Sequence, residues 1–195
     1  MYKQKIVIKV GTNVMTNKDN RIVRPVLRNL VQQIAELYER DIITVLVSSG
    51  SVIAGREVLG ASSIEDDTQR RQVYSAIGQP RMMRLYYNIF HDYGMKCAQV
   101  LPTKRDFTPG VHRQNMIDCV EGLLSEGVIP IANEDDAVSV TMSMFSDNDE
   151  LASLIAQLID ADKMIILTDI DGLYTGHPNL DSSDLIEHVN PDENL

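Results

Sequence analysis

The sequence predicts an α/β fold, a mostly parallel sheet sandwiched by helices, and three observations carry that prediction. Five short apolar runs of strand character recur at wide intervals. Helical periodicity fills the gaps between them, and alternating strand and helix implies right-handed parallel crossovers. Polar or glycine-rich residues follow four of the five runs, where an open parallel sheet places its ligand loops.

The elements follow in chain order. Lys5–Val10 (KIVIKV) is apolar on both sides of the pleat, as strands covered on both faces are, and Gly11-Thr12-Asn13 comes next. In PVLRNLVQQIAELYER, Pro25 suits a first helical turn, and Val26, Leu30, Ile34 and Leu37 make one stripe. A strand over Ile43–Val47 leads through Ser48-Ser49-Gly50-Ser51 into a helix over Val52–Leu59. A long helix is expected over Thr68–Tyr93. Its Met82, Met83, Leu85, Tyr86, Tyr87 and Phe90 form a broad apolar face, read as core packing. Then come strand Cys97–Leu101, helix His112–Glu126 and strand Val128–Ala132 with Asn133-Glu134-Asp135-Asp136 after it. A helix over Asp149–Asp160 precedes strand Met164–Thr168 and the run Asp169-Ile170-Asp171-Gly172. From Gly176 onward the chain reads as a polar loop or tail.

Bulk properties narrow the function. The 195 residues suit one domain. A net charge of −10 argues against a sizeable nucleic-acid surface, which needs clustered lysine and arginine. Cys97 and Cys119 lie in apolar segments without CxxC spacing, and read as reduced, buried thiols of a cytoplasmic protein. No run approaches the length of a membrane span. The four histidines have no metal or triad spacing, and Asp169–Gly172 lacks the remaining ligands of an EF-hand, so no metal ligands are assigned. Asp171-Gly172 reads as a tight turn. Neither GxGxxG after the first strand nor GxxxxGK[ST] occurs, which disfavours a Rossmann dehydrogenase and excludes a Walker-type NTPase.

Individual strand ends leave alternatives open. Lys9 with Gly11 fits an anion site, since glycine admits close backbone approach and lysine adds a compact charge; a solvated lysine at a strand end fits equally. Ser49 and Ser51 fit either an anion pocket or a helix N-cap. Asp147, Asp149 and Glu150 fit a site or a simple complement to a helix N-terminus.

The segments KVGTN, VLVSSGSVIAGREVLG, IGQPRMMRLYYNIF, VLPTKRDF, VIPIANEDDAVSV, FSDNDELAS and IILTDIDGLYTGHP resemble, in order, the glutamate 5-kinase branch of the amino acid kinase family. The likeness runs from Lys5 to Pro178. It extends to the kinase half of the fused pyrroline-5-carboxylate synthases. It implies an enzyme that moves the γ-phosphoryl of ATP, with Mg²⁺, to the side-chain carboxylate of L-glutamate for proline synthesis. By the resemblance, Lys9 faces the transferring phosphoryl, with Gly11 and Thr12 in the same loop, and Asp149 orients the lysine. Ser49, Gly50, Asn133, Asp136 and Asn148 hold glutamate. Thr168 and Asp169 meet ATP. Asp147 is a further candidate for Mg²⁺ or the substrate ammonium, and Glu150 dresses the helix. Homo-oligomers, dimers or tetramers, are implied as well, with no nucleic acid or membrane partner.

Two departures from the family pattern stand out. Asp135 stands where many relatives have asparagine. The chain also reaches Leu195 without the GTGGMxTK-like segment that brings a second lysine to the nucleotide. The expectation is therefore a single but incomplete domain over 1–195, exposing an apolar edge. A non-catalytic glutamate-binding module, and a sister kinase for acetylglutamate or aspartate, are the competing readings.

Overall fold

The computed structural model describes residues 2–134, 147–177, 180 and 182–189. Among them, β1 (Gln4–Val10), β2 (Ile42–Ser48), β3 (Lys96–Val100), β4 (Val128–Ala132) and β5 (Lys163–Leu167) form one sheet in the order β3-β4-β2-β1-β5. Every pairing in it is parallel. All five carboxyl ends therefore open on one edge of the sheet, the edge where such folds place ligands.

The helices are α1 (Thr12–Met15), α2 (Arg24–Tyr38), α3 (Ser51–Leu59), α4 (Asp67–Asp92), α5 (Val111–Ser125) and α6 (Asn148–Leu158). Strand alternation assigns them to faces. Lys5, Val7 and Lys9 of β1 point to one side. On that side Lys5 Nζ donates to Glu121 Oε1 of α5 at 2.7 Å and to the Ile159 carbonyl beyond α6 at 3.1 Å. Ile8 and Val10 point to the other, where Ile8 lines a cleft with Leu30 and Leu37 of α2. Val10 pairs with Ser48 in register, and Ser48 meets Tyr86 of α4 across that face at 2.7 Å. The sheet is thus sandwiched as its sequence predicts, with α2 and α4 on one side and α5 and α6 on the other.

The α2 stripe is rotated from the expected one. Leu27, Leu30, Val31 and Ile34 are buried, whereas Val26 and Leu37 flank them. A helix buries i, i+3, i+4 and i+7 together, and Leu27 begins that series. Helix α4 starts on an Asp66 cap that accepts from the Gln69 N–H at 2.7 Å, and it runs through Pro80 without interruption. It crosses α3 at backbone contact. A side chain at Gly78 would collide with the Ser51 carbonyl, and one at Gly55 with the Tyr74 carbonyl.

Other expectations shift. The apolar run of β5 predicts cover on both faces, yet Met164, Ile165 and Ile166 are 38–40% exposed. β1 is its one sheet neighbour among the described residues, so its second edge and parts of both flanks are open. Cys119 is exposed on α5 rather than buried, while Cys97 is partly covered. In the stretch expected to be a polar loop or tail, Leu185–Ile186 pairs antiparallel with Leu173–Tyr174 as strands β7 and β6. The segment between α1 and α2, given no element in the sequence, forms an antiparallel bridge from Thr16 to Ile22 around a turn at Asn17–Asn20. No helix among the described residues is long and apolar enough to cross a membrane.

Candidate functional site

The carboxyl ends of β1, β2 and β5 are tied by backbone hydrogen bonds. The Ser49 N–H donates to the Val10 carbonyl at 3.3 Å, and the Gly11 N–H to the Leu167 carbonyl at 3.0 Å. Through the second bond the Gly11 amide serves β5. The missing side chain of Gly11 matters as well. A Cβ there would meet Lys9 Nζ at 3.5 Å and the Leu167 carbonyl at 3.4 Å, so glycine keeps open the space beside the ammonium.

Lys9 and Ser49 lie on the face covered by α6, because Lys9 pairs with Val47 and Ser49 is two residues on. The first turn of α6 reaches both. Asn148 Nδ2 donates to Ser49 Oγ at 2.6 Å and to Asn133 Oδ1 at 3.2 Å. Asp149 Oδ1 stands 2.7 Å from Lys9 Nζ, whose side chain is only 11% exposed. That contact is Coulombic rather than a well-angled hydrogen bond, since the buried Oδ1 accepts none among the described residues. Two consecutive residues thus bind the β2 and β4 exits on one side and the β1 exit on the other.

Asp147 caps α6. Its carboxylate accepts from the Asp149 and Glu150 N–H groups at 2.9 Å each, a helix N-cap. That cap holds the turn from which Asn148 and Asp149 project. Glu150 does more than dress the helix: it pairs with Lys104 of the 3₁₀ turn Lys104–Phe107 at 3.2 Å.

The serine run also differs from its N-cap reading. Gly50 occupies the cap position of α3 with φ +98°, a conformation that glycine adopts without strain. Ser51 is buried in the first turn, where its hydroxyl receives from Ser75 Oγ and from Asn133 Nδ2, both at 3.3 Å. Asn133 is 7% exposed, and its N–H donates to the Val100 carbonyl. The chain Ser75–Ser51–Asn133–Asn148–Ser49 is therefore a continuous polar seam through the sheet edge. The sequence leaves Ser51 between cap and pocket and gives no role to Ser75. The missed signal is a small polar residue on each contacting face of α3 and α4.

Beneath the seam lies a narrow cleft, with room for little more than a water molecule, lined by Ser49, Gln79, Met82, Met83, Gln99 and Asn133. Its floor is Tyr86, whose hydroxyl meets Ser48 Oγ at 2.7 Å and Met15 sulfur at 3.4 Å. Full burial holds the Tyr86 phenol well above its ordinary range, against the smaller opposing effect of the Ser48 bond. Gln79 and Gln99 were also missed by the sequence reading.

Of the remaining expected residues, Thr12 begins α1 and its carbonyl accepts from Thr16 Oγ1 at 3.0 Å. Thr168 and Asp169 stand at the β5 exit, and Asp169 Oδ2 accepts from Asn13 Nδ2 at 3.0 Å, which joins that exit to the β1 loop. Asp136, like Asp135, lies outside the described residues.

The structural comparison agrees with this architecture. A solved isopentenyl phosphate kinase superposes with a TM-score of 0.64 over 95% of this chain and 80% of its own, at 19% identity, which shows the fold alone. The family model for the amino acid kinase family matches residues 4–195. The chain belongs to the amino acid kinase family. Within that family it is 40% identical over 191 residues to a glutamate 5-kinase of Bacteroides thetaiotaomicron, covering 98% of this chain and 53% of the relative. It is 40% identical over 188 residues to the glutamate 5-kinase of Chlorobaculum tepidum, covering 96% and 52%. The chain spans about half the length of the curated family members it matches.

The site also fits the phosphates an amino acid kinase handles. A shielded lysine beside a glycine cradle suits an anionic oxygen. No group of three His, Cys, Asp or Glu side chains is arranged as a metal cage among the described residues.

Proposed function

We propose that the protein transfers the γ-phosphoryl of ATP to the γ-carboxylate of L-glutamate, giving γ-glutamyl phosphate, the first step of proline biosynthesis. The observation that carries this reading is the divided reach of the α6 first turn, with Asn148 on Ser49 and Asn133, and Asp149 on Lys9. It joins a polar, amide-rich pocket to a shielded cation, as transfer between two anions requires. The glutamate 5-kinase name of the relatives supports the choice of substrate.

The acceptor carboxylate has an ordinary pKa of about 4.3, so it is ionised near neutrality and needs no general base. The reaction forms one bond from a carboxylate oxygen to the γ-phosphorus and breaks the bond from that phosphorus to the β–γ bridging oxygen. The electron pair leaves with ADP. The obstacle is repulsion, so the chain must supply position and positive potential. When bound, ATP–Mg²⁺ supplies the phosphoryl group and part of the charge neutralisation.

Lys9 supplies the rest at the transferring group, and Asp149 fixes where its ammonium points. Gly11 leaves the space for the phosphoryl oxygens, with Thr12 in the same loop. Asn133, Asn148 and Ser49 offer hydroxyl and amide groups to glutamate, with Gly50 at the pocket wall and Asp136 for its ammonium. Thr168 and Asp169 face the nucleotide.

The test is glutamate-dependent ADP release by the protein, with hydroxylamine trapping the acyl phosphate as the hydroxamate, alongside a glutamate thermal shift. Turnover with glutamate supports the reading. Turnover only with acetylglutamate or aspartate overturns the substrate. A melting temperature raised by glutamate, without ATP use, replaces catalysis with glutamate binding.

A further inference from the structure

The turn between α1 and α2 is held by a carboxylate that the proposed chemistry does not use. Glu57, on α3, accepts from the Ile22 N–H through Oε1 at 2.5 Å and from Arg81 of α4 through Oε2 at 2.6 Å. Its side chain is only 16% exposed. Two donors thus converge on one carboxylate, whose oxygens serve them separately. Arg81 Nε is buried without a partner among the described residues, a cost that the Glu57 pair has to offset.

Ile22 is one end of a hairpin whose other end belongs to the β1 loop. Thr16 bridges to Ile22, and the Val23 N–H donates to the Met15 carbonyl at 2.8 Å. Met15 closes α1, the short helix that Thr12 begins. Glu57 lies on the helix that starts at Ser51, directly after Gly50. Met15 and Ile22 also pack on that glycine: a Cβ at Gly50 would meet Met15 Cε at 3.3 Å and Ile22 Cδ1 at 3.5 Å. The hairpin is therefore clamped to α3 twice, by an apolar contact at the helix start and by a charged bond about two turns further on.

The geometry points to Glu57, backed by Arg81, as a positioning residue that sets the offset between the β1 loop and the β2 exit. This inference rests on the proposed reading, in which the first holds the transferring phosphoryl and the second holds the acceptor. Glu57 acts through Ile22 and not by contact with a substrate. Each half keeps its own residues when Glu57 changes, Lys9 and Gly11 on one side and Ser49, Asn133 and Asn148 on the other. What changes is how closely the halves line up, which an in-line transfer feels in kcat rather than in KM.

Two variants of the protein test it. Glu57→Ala removes both bonds. Glu57→Gln keeps the shape, but its amide has one acceptor end and cannot receive both Ile22 and Arg81. At a temperature where each protein is fully folded, kcat is expected to fall about tenfold or more in Glu57→Ala and about threefold to fivefold in Glu57→Gln. The KM values for glutamate and ATP are expected to change less than about twofold. Hydrogen exchange is the second readout. The Val23 amide, which bonds to Met15 and not to Glu57, should exchange faster in both variants, with β4 unchanged.

If the wild type turns over glutamate and both variants keep its kcat, the inference is overturned while the proposed function stands. A rise in either KM that exceeds the fall in kcat overturns it too, because Glu57 would then shape one binding half. If the wild type does not turn over glutamate, the proposed function falls. The Val23 amide then decides alone, and unaltered exchange there overturns the positioning role. Should Glu57→Ala lack a cooperative melt, Glu57→Gln carries the test on both readouts.

Discussion

Lys9 Nζ and Asp149 Oδ1 are 2.7 Å apart, and the lysine side chain is almost covered while the aspartate is half open. The aspartate thereby holds a cation at the exit of β1 without taking it from the space above Gly11. Lys9→Met removes the charge that offsets phosphoryl–carboxylate repulsion and should lower kcat about 10²–10³-fold. Asp149→Asn keeps the shape but releases the ammonium, and should cost less, about tenfold to a hundredfold, with little change in the KM for glutamate. Steady-state kinetics on the two variants check this. Retention of wild-type kcat by Lys9→Met would remove the mechanism.

Asn148 predicts the opposite split. Its Nδ2 bridges Ser49 Oγ and Asn133 Oδ1, which belong to the proposed acceptor pocket. Asn148→Asp replaces that donor with an acceptor facing two oxygens and adds a charge near the substrate carboxylates. The KM for glutamate should rise more than about tenfold, with the KM for ATP nearly unchanged. Initial-rate measurements with each substrate varied in turn would show it. A larger effect on ATP than on glutamate would contradict the assignment of the two sides.

Gly78 should be intolerant for a purely steric reason. Its Cα lies against the Ser51 backbone, so even a methyl group pushes α4 off α3. Gly78→Ala is expected to destabilise by about 1–3 kcal/mol or more, lowering Tm by several degrees in a domain of this size, about 2–4 °C per kcal/mol. Because Ser51 carries the seam to Asn133, glutamate affinity should drop with stability. A scanning-calorimetry Tm equal to that of the wild type would show that the two helices can part at no cost.

Some of this arrangement is displayed in the sequence, and packing alone reveals the rest. The parallel sheet and its polar exits are legible because both depend on local periodicity and on residues adjacent in the chain. Lys9, Ser49 and Asn133 do meet at one edge, as their strand-end positions imply, and the start of α6 brings Asn148 to them. Asp149 is recognisable as a site residue through the motif around it, yet its partner 140 positions earlier follows only from the register of β1 under α6. Gln79 and Gln99 are ordinary glutamines in the sequence, and a bond across three elements leaves no local trace. The exposure of β5 could not be read from its composition, since KMIIL is as apolar as the covered strands. Coverage is a property of neighbours, not of the strand itself.

The cysteines offer a chemical check on burial. Desolvation pushes the Cys97 thiol up to about 11, so near pH 8 almost none of it is the reactive thiolate, and its side chain is partly covered as well. Cys119 is exposed on α5. Reaction of the native protein with a disulfide reagent at pH 8 should therefore label one thiol quickly and the second at least about tenfold more slowly. Raising the pH towards 10 or 11 should speed the slow phase as the Cys97 thiolate fraction grows. Cys119→Ser should abolish the fast phase; its survival would place the open thiol elsewhere.

The outer edge of β5 makes the last prediction. Met164, Ile165 and Ile166 are 38–40% exposed, and beside them Ile8, Leu30, Leu37, Ile165 and Leu167 line an open cleft that also takes in Gln33, Glu36 and Arg40. A strand edge with no second partner among the described residues, beside apolar surface, is a template for association between copies. The 195-residue chain should thus self-associate as its concentration rises, despite a net charge of −10. Charge placed on the edge should oppose it. Ile165→Lys faces the α2 cleft and Ile166→Lys the α6 side, since their register partners are Ile8 and Lys9. The first should weaken association more, because it removes apolar surface from the cleft as well as guarding the strand. Sedimentation velocity across a concentration series compares the three proteins. Identical association in all of them would move the sticky surface away from β5.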